Sequence, residues 1–179
     1  SGDRKIQGYI YESLRHHMPG ESARELLQRR TVEYTGVFVD VDIIVAHILK
    51  QPVFIRWSVA RTLLGAWTTS ARMQPILSPK PCFTGCGACD DLKHYLRCVP
   101  LWPHIYQAFG LSFIVDNTER IQTILLTLDG LKLLAMSYLV YCDMRSRTFP
   151  VEHDDIFESV QRIHKFRFRS RGRSQTPVR

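Results

Sequence analysis

Cys82-Phe83-Thr84-Gly85-Cys86-Gly87-Ala88-Cys89-Asp90-Asp91-Leu92-Lys93-His94-Tyr95-Leu96-Arg97-Cys98 gathers four of the chain's five cysteines and a histidine into seventeen residues. Structural zinc sites take four ligands in a tetrahedron, drawn from thiolates and imidazoles. A glycine-bearing turn supplying two ligands and a helix supplying two more meets that need. His94 and Cys98 are four apart, so a helix sets both on one face. The first pair has two solutions: Cys82 with Cys86, leaving Cys89 spare, or Cys86 with Cys89, leaving Cys82 spare. The second is close to a zinc knuckle, C-x2-C-x4-H-x4-C, with one residue fewer between His94 and Cys98. Four protein ligands close the coordination sphere, so one structural Zn2+ is expected and not a catalytic one. An odd cysteine count without a secretory signal argues against a disulfide framework.

Working outward, the chain reads as mainly α: a helical domain carrying a small structural zinc-binding turn-helix module and ending in a disordered basic tail. Tyr9, Ile10, Leu14 and Met18 recur at helical spacing before Pro19-Gly20. Residues 21–34 are rich in helix formers, with Leu26 and Leu27 as the apolar face. Residues 37–49 carry two signals. Val37, Val39, Val41 and Ile43 alternate like a strand, and 44–49 continue like a helix; the balance favours helix. Pro52 opens an amphipathic helix to about Thr68-Thr69, with Ile55, Val59, Leu63 and Ala66 on one face. Residues 73–80 read as an extended approach to the cysteines. A helix from His94 towards Phe109 is interrupted or kinked at Pro100 and Pro103.

Asn117 or Thr118 caps the longest predicted helix, 119–145. Its face is Ile121, Leu125, Leu128, Leu131, Ala135, Leu139 and Cys142, and the zinc module is expected to pack on it. Cys142 reads as an inert buried thiol. Residues 154–165 form a final short helix, and 170–179 show no periodicity. The organisation is an N-terminal helical segment (1–53), a zinc-binding helical domain (54–166, zinc module 79–100) and a basic tail (167–179).

The net charge of +7 is concentrated at one end. Residues 162–179 hold seven basic side chains and no acid, and the rest of the chain balances its basic and acidic residues. A neutral body with a cationic tail places the attraction for polyanions in the tail. No apolar run reaches the length of a membrane span, so no membrane partner is expected. Residues 1–20 are charged and lack the apolar core of a signal peptide, which suggests an intracellular protein of nucleus or cytoplasm. With no initiating methionine, the chain reads as a piece of a longer one.

Thr62-Leu63-Leu64-Gly65-Ala66-Trp67-Thr68-Thr69-Ser70-Ala71-Arg72-Met73, the cysteine cluster, and Cys98-Val99-Pro100-Leu101-Trp102 together resemble the zinc-binding region that follows the polymerase domain of non-LTR (LINE-type) retrotransposon reverse transcriptases. In that family a helix ends in small residues, threonine and arginine. Cys, a short gap, Cys-Gly, an acid, His-x-Leu and Cys-Pro with an aromatic follow. Cys86-Gly87, Asp90-Asp91, His94-Tyr95-Leu96 and Cys98 occupy the matching places. The resemblance covers about residues 54–102, and Tyr138 to Arg145 extends it in character. It makes Cys82 and Cys86 the first ligand pair, with His94 and Cys98 the second. The chain departs from the pattern in its three-residue gap between the first pair and in the valine after Cys98.

The resemblance implies a nucleic-acid-binding part of a reverse transcriptase that positions template RNA or target DNA beside an upstream polymerase domain of the same chain. The fragment itself is expected to catalyse nothing. The Tyr-x-Asp-Asp turn of a polymerase palm is absent; Asp90-Asp91 lies in the zinc turn, and Asp154-Asp155 suits a helix start. No P-loop, GxSxG or deaminase pattern occurs. His16, His17 and His47 lack partner sets.

Candidate contacts to RNA or DNA are Arg72, Lys80, Lys93 and Arg97 around the module, and Arg167, Arg169, Arg171 and Arg173 in the tail. Phe166 and Phe168, interleaved with these arginines, either stack on unpaired bases or anchor the last helix. The alternative function is a zinc-stabilised helical protein-interaction module, as a domesticated retroelement fragment would be.

Overall fold

The computed structural model describes residues 22–73, 80–147 and 153–169. Among these the chain is helical, and the one β-type pairing is an antiparallel bridge between Pro81 and Cys89. The predicted helix at 9–18, most of the segment 73–80, and Arg171 and Arg173 lie outside the described residues.

Helix α1 (Ala23–Thr35) opens with a capping box: Glu25 N–H donates to the Ser22 hydroxyl and the Glu25 carboxylate accepts from Ser22 N–H. It closes at Gly36 in the left-handed region, φ 71°. The two signals in 37–49 lie in sequence. Residues 37–40 precede the helix without forming a strand, with Val37 and Val39 buried and Phe38 exposed. Gln28 holds this stretch by donating to the Val39 carbonyl at 2.8 Å. Asp40 then caps α2 (Val41–Leu49), its side chain accepting from Asp42 N–H.

Helix α3 (Val53–Leu63) buries Ile55, Val59 and Leu63 as expected, but it stops at Leu63 and not near Thr68. Gly65 turns the chain at φ 63° with the Tyr34 ring pressed against it: a Cβ there would lie 2.6 Å from Tyr34 Cε2. Trp67 is buried beyond the helix, its indole N–H donating to the Thr62 hydroxyl. A short turn, α4 (Ser70–Met73), follows. The predicted helix after His94 resolves into α5 (Leu92–Tyr95) and α6 (Trp102–Ala108), separated around Pro100, with Pro103 in the first turn of α6.

The long helix predicted for 119–145 is two helices, α7 (Asn117–Leu126) and α8 (Leu128–Arg145), bent by 106°. Thr127 makes the corner. It is extended, its hydroxyl accepts from Gly130 N–H at 2.9 Å and donates to the Thr123 carbonyl at 2.9 Å. Gly130 lets the two backbones meet, since a Cβ there would lie 2.6 Å from Ile124 Cα. Leu128, at the corner, and Cys142, near the end of α8, lie off the core. Leu128 is 42% exposed, and Cys142 is exposed and not the buried thiol expected. Asp116, one residue before the expected cap, caps α7 by accepting from Glu119 N–H. No single helix among the described residues is long and apolar enough to cross a membrane.

α8 is the centre of the core: Leu131, Leu134, Ala135, Met136, Val140 and Met144 are buried along it. α3, α7 and α9 (His153–Ile163) pack around it. α9 is tied to α8 through Asp143, which accepts from Arg147, Ser159 and Arg162. A π-helical turn at His164–Arg169 ends the described chain. There Phe168 packs edge-on against Phe54 and Phe109 at 5.4 and 5.1 Å. Phe168 is therefore an anchor of the last helix, while Phe166 is 65% exposed.

Candidate metal centre

The segments around Lys80–Cys82 and Ala88–Asp90 lie side by side, joined by Cys82 N–H to the Ala88 carbonyl at 2.7 Å and Asp90 N–H to the Lys80 carbonyl at 2.8 Å. Between them the chain reverses through Gly85 and Gly87, both at positive φ (72° and 82°). This turn carries Cys82 at its base and Cys86 at its tip. His94 comes from α5. Cys98 lies in the tight turns that follow, with Arg97 N–H donating to the His94 carbonyl at 2.8 Å. Helical spacing brought His94 and Cys98 together, although the α-helix itself ends at Tyr95.

The ligand atoms of Cys82, Cys86, His94 and Cys98 all lie within 4.8 Å of one another. Cys82 Sγ is 3.9 Å from Cys98 Sγ, and Cys86 Sγ is 3.1 Å from His94 Nε2. A tetrahedral site with metal–sulfur bonds of about 2.3 Å has sulfur–sulfur edges of about 3.8 Å, which the Cys82–Cys98 pair matches at 3.9 Å. These four residues can hold a metal ion. Cys89 is outside the group: its backbone is bridged to Pro81 and its side chain is exposed.

Cys82 and Cys98 are buried, and Cys86 is exposed. The Thr84 hydroxyl sits 3.1 Å from Cys82 Sγ and 3.2 Å from Cys98 Sγ, and Thr84 N–H points at Cys82 Sγ. The hydrogen bond from Cys98, followed by those from Thr84, overcomes burial and holds the Cys82 thiol down at about 5. The same shared proton, with burial, pushes Cys98 far above the ordinary thiol range. Cys82 thus holds the charge and Cys98 the proton; a cation between them would let both serve as thiolates.

An aromatic stack fixes the module to the core. Phe83 stacks on Tyr95 at 5.1 Å, Tyr95 meets Tyr141 of α8 at 5.2 Å, and Trp67 stacks on Tyr141 at 4.8 Å. The module thus packs on α8, as the sequence suggested. Asp90 fastens it to α4: Oδ1 accepts from the Tyr95 hydroxyl and Oδ2 from Ser70 N–H. The roles of Thr84 and Asp90 went unread in the sequence, because a threonine inside a cysteine turn and an acid after it carry no spacing signal.

Arg72, Lys80 and Lys93 are exposed around the module, and Arg167 and Arg169 are exposed on the last helical turn. Arg97 is half-buried and engaged internally, donating to the Thr35 carbonyl at 2.5 Å and to the Lys93 carbonyl. It docks the module on the end of α1. Comparison of the chain with protein-family models, curated proteins and solved structures gave no significant match.

Proposed function

We propose that the chain is a zinc-stapled helical module that binds single-stranded RNA or DNA. The observation that carries it is the charge arrangement around the Cys/His cluster: Arg72, Lys80 and Lys93 are exposed beside it, without a carboxylate partner among the described residues. Zinc is the metal favoured by three thiolates and one imidazole in a tetrahedral arrangement, and with all four positions filled by protein it would act on folding and not on chemistry. Arg167 and Arg169, continued by Arg171 and Arg173, add a second cationic set for phosphates.

The likeness to the zinc-binding region of LINE-type reverse transcriptases supports the same reading. On it, the module would position template RNA or target DNA for a polymerase domain upstream in the same polypeptide. The test is binding to a labelled single strand over a range of salt. With about four phosphate contacts, affinity should fall roughly fifty-fold between about 50 and 200 mM salt. Replacing Arg167, Arg169, Arg171 and Arg173 by Gln should flatten that slope. Salt-independent binding, or none, would overturn the proposal.

One observation favours the second reading, a protein-interaction module. Ile43, Leu49 and Val53, on α2 and at the start of α3, are exposed at 45, 55 and 49%, and Phe38 before them at 76%. Unchanged partner capture after the arginine substitutions, with no nucleic-acid binding in the wild type, would select it.

A further inference from the structure

A groove of about 560 Å³ runs along the outer face of α1. Glu25, Gln28, Arg29 and Val32, which share one face of that helix, line it from one side, and Phe38 and Asp40 from the stretch before α2. Phe38 is 76% exposed and Val32 37%. Phe38 is held in that position: Val37 and Val39 on either side of it are buried, and Gln28 fixes the Val39 carbonyl. Arg24, also at the groove, turns its guanidinium onto Asp42, with Nε donating to Oδ1 at 3.0 Å, so its charge is matched without a ligand. Exposed apolar side chains with matched charge beside them suit the apolar face of a helix and not an ion.

The sequence places a fitting pattern next to it. Ile6, Ile10, Leu14 and Met18 step by four, and Glu12, Arg15 and His16 fall on the opposite side of the same helical wheel. These residues lie outside the described part of the chain, but the point where they join it is fixed. Pro19, Gly20 and Glu21 alone separate Met18 from Ser22, the cap of α1. Connections of about two to five residues join antiparallel helices, so a helix ending at Met18 returns along α1. Ile10 to Met18 spans about 12 Å of helix and Glu25 to Val32 about 10 Å. Met18 then falls beside Glu25, Leu14 beside Gln28, and Ile10 beside Val32 and Phe38. We propose that residues 9–18 form a helix antiparallel to α1, with Ile10, Leu14 and Met18 seated in this groove. The segment closes the Phe38 surface to outside partners and leaves Ile43, Leu49 and Val53 as the face open to them.

The experiment is hydrogen exchange read by mass spectrometry on the full chain, with molar mass measured by light scattering over a range of concentration. Amides of residues 9–18 should exchange about tenfold or more slowly than those of an unfolded chain, in a monomer. Val32→Ser with Phe38→Ser, at two exposed side chains, should abolish that protection and leave exchange in α8 as in the wild type. Ile10→Ser with Leu14→Ser should do the same from the other side of the contact. Unprotected amides in the wild type overturn the proposal, and so does protection that survives Val32→Ser with Phe38→Ser. Protection that appears only as the chain dimerises also overturns it, and gives the groove to a second copy. No arm of the test touches the metal cluster or the arginines of the nucleic-acid reading, so its failure leaves that reading as it stands.

Discussion

The Tyr95 hydroxyl donates to Asp90 Oδ1 at 2.9 Å while the other oxygen of Asp90 accepts Ser70 N–H at 2.6 Å. One carboxylate thus joins the helix carrying His94 to the turn that follows Trp67. The arrangement makes the metal module and the helical core a single cooperative unit.

Asp90→Ala should therefore lower the unfolding free energy by about 1–3 kcal/mol, the range for hydrogen bonds to a charged group and the donors left without it. Urea denaturation of the metal-loaded protein measures this. Metal content should stay as in the wild type, because Asp90 is not among the clustered ligand residues. A wild-type midpoint would remove Asp90 from this role.

Gly130→Ala should be costly despite the better helix propensity of alanine. The new methyl meets the backbone of Ile124, which cannot swing aside as a side chain would. Overpacking of this kind costs about 1–3 kcal/mol, seen as a lowered melting temperature by circular dichroism. A gain in stability would mean that the α7–α8 corner is looser than described.

That corner also shows where the sequence misled. The apolar steps of three and four run without a break from Ile121 to Leu139, so periodicity alone draws one helix. The local signal for the break, Thr127 three residues before Gly130, also suits a helix interior that tolerates both residues. Only the close approach of the two helices decides, and that is a tertiary fact. By contrast, the helical class and a Cys/His cluster built on Cys86, His94 and Cys98 were legible, because ligand spacing and glycine placement are local constraints; spacing left Cys82 and Cys89 both open as the fourth member, and only the family resemblance favoured Cys82. The stretch before α2 was half legible: its alternation of Val37, Val39 and Val41 was visible, but the Gln28 side chain that holds it was not.

His164 is packed against the Phe109 ring at 4.6 Å and against Phe168. Burial first, and the charge of Arg169 second, lower its pKa below the ordinary value. The unfolded chain then takes up a proton more readily than the folded one. This contribution to stability is complete above about pH 6.5 and declines as the pH falls towards the depressed folded value. NMR titration should find the His164 imidazole below the free-histidine pKa. His164→Gln should remove that share of the acid-side decline, read as the difference in urea midpoints between variant and wild type. An imidazole titrating at or above the free value would contradict it.

The most direct measurement is metal content per chain, by mass spectrometry and elemental analysis, on protein purified without added metal. The wild type should carry one zinc. Cys82→Ala and His94→Ala should lose it and lose thermal stability, because binding energy at a structural site is folding energy. Cys89→Ala should keep it. A folded wild-type protein without metal, or a metal lost with Cys89 and retained without Cys82, would contradict the account.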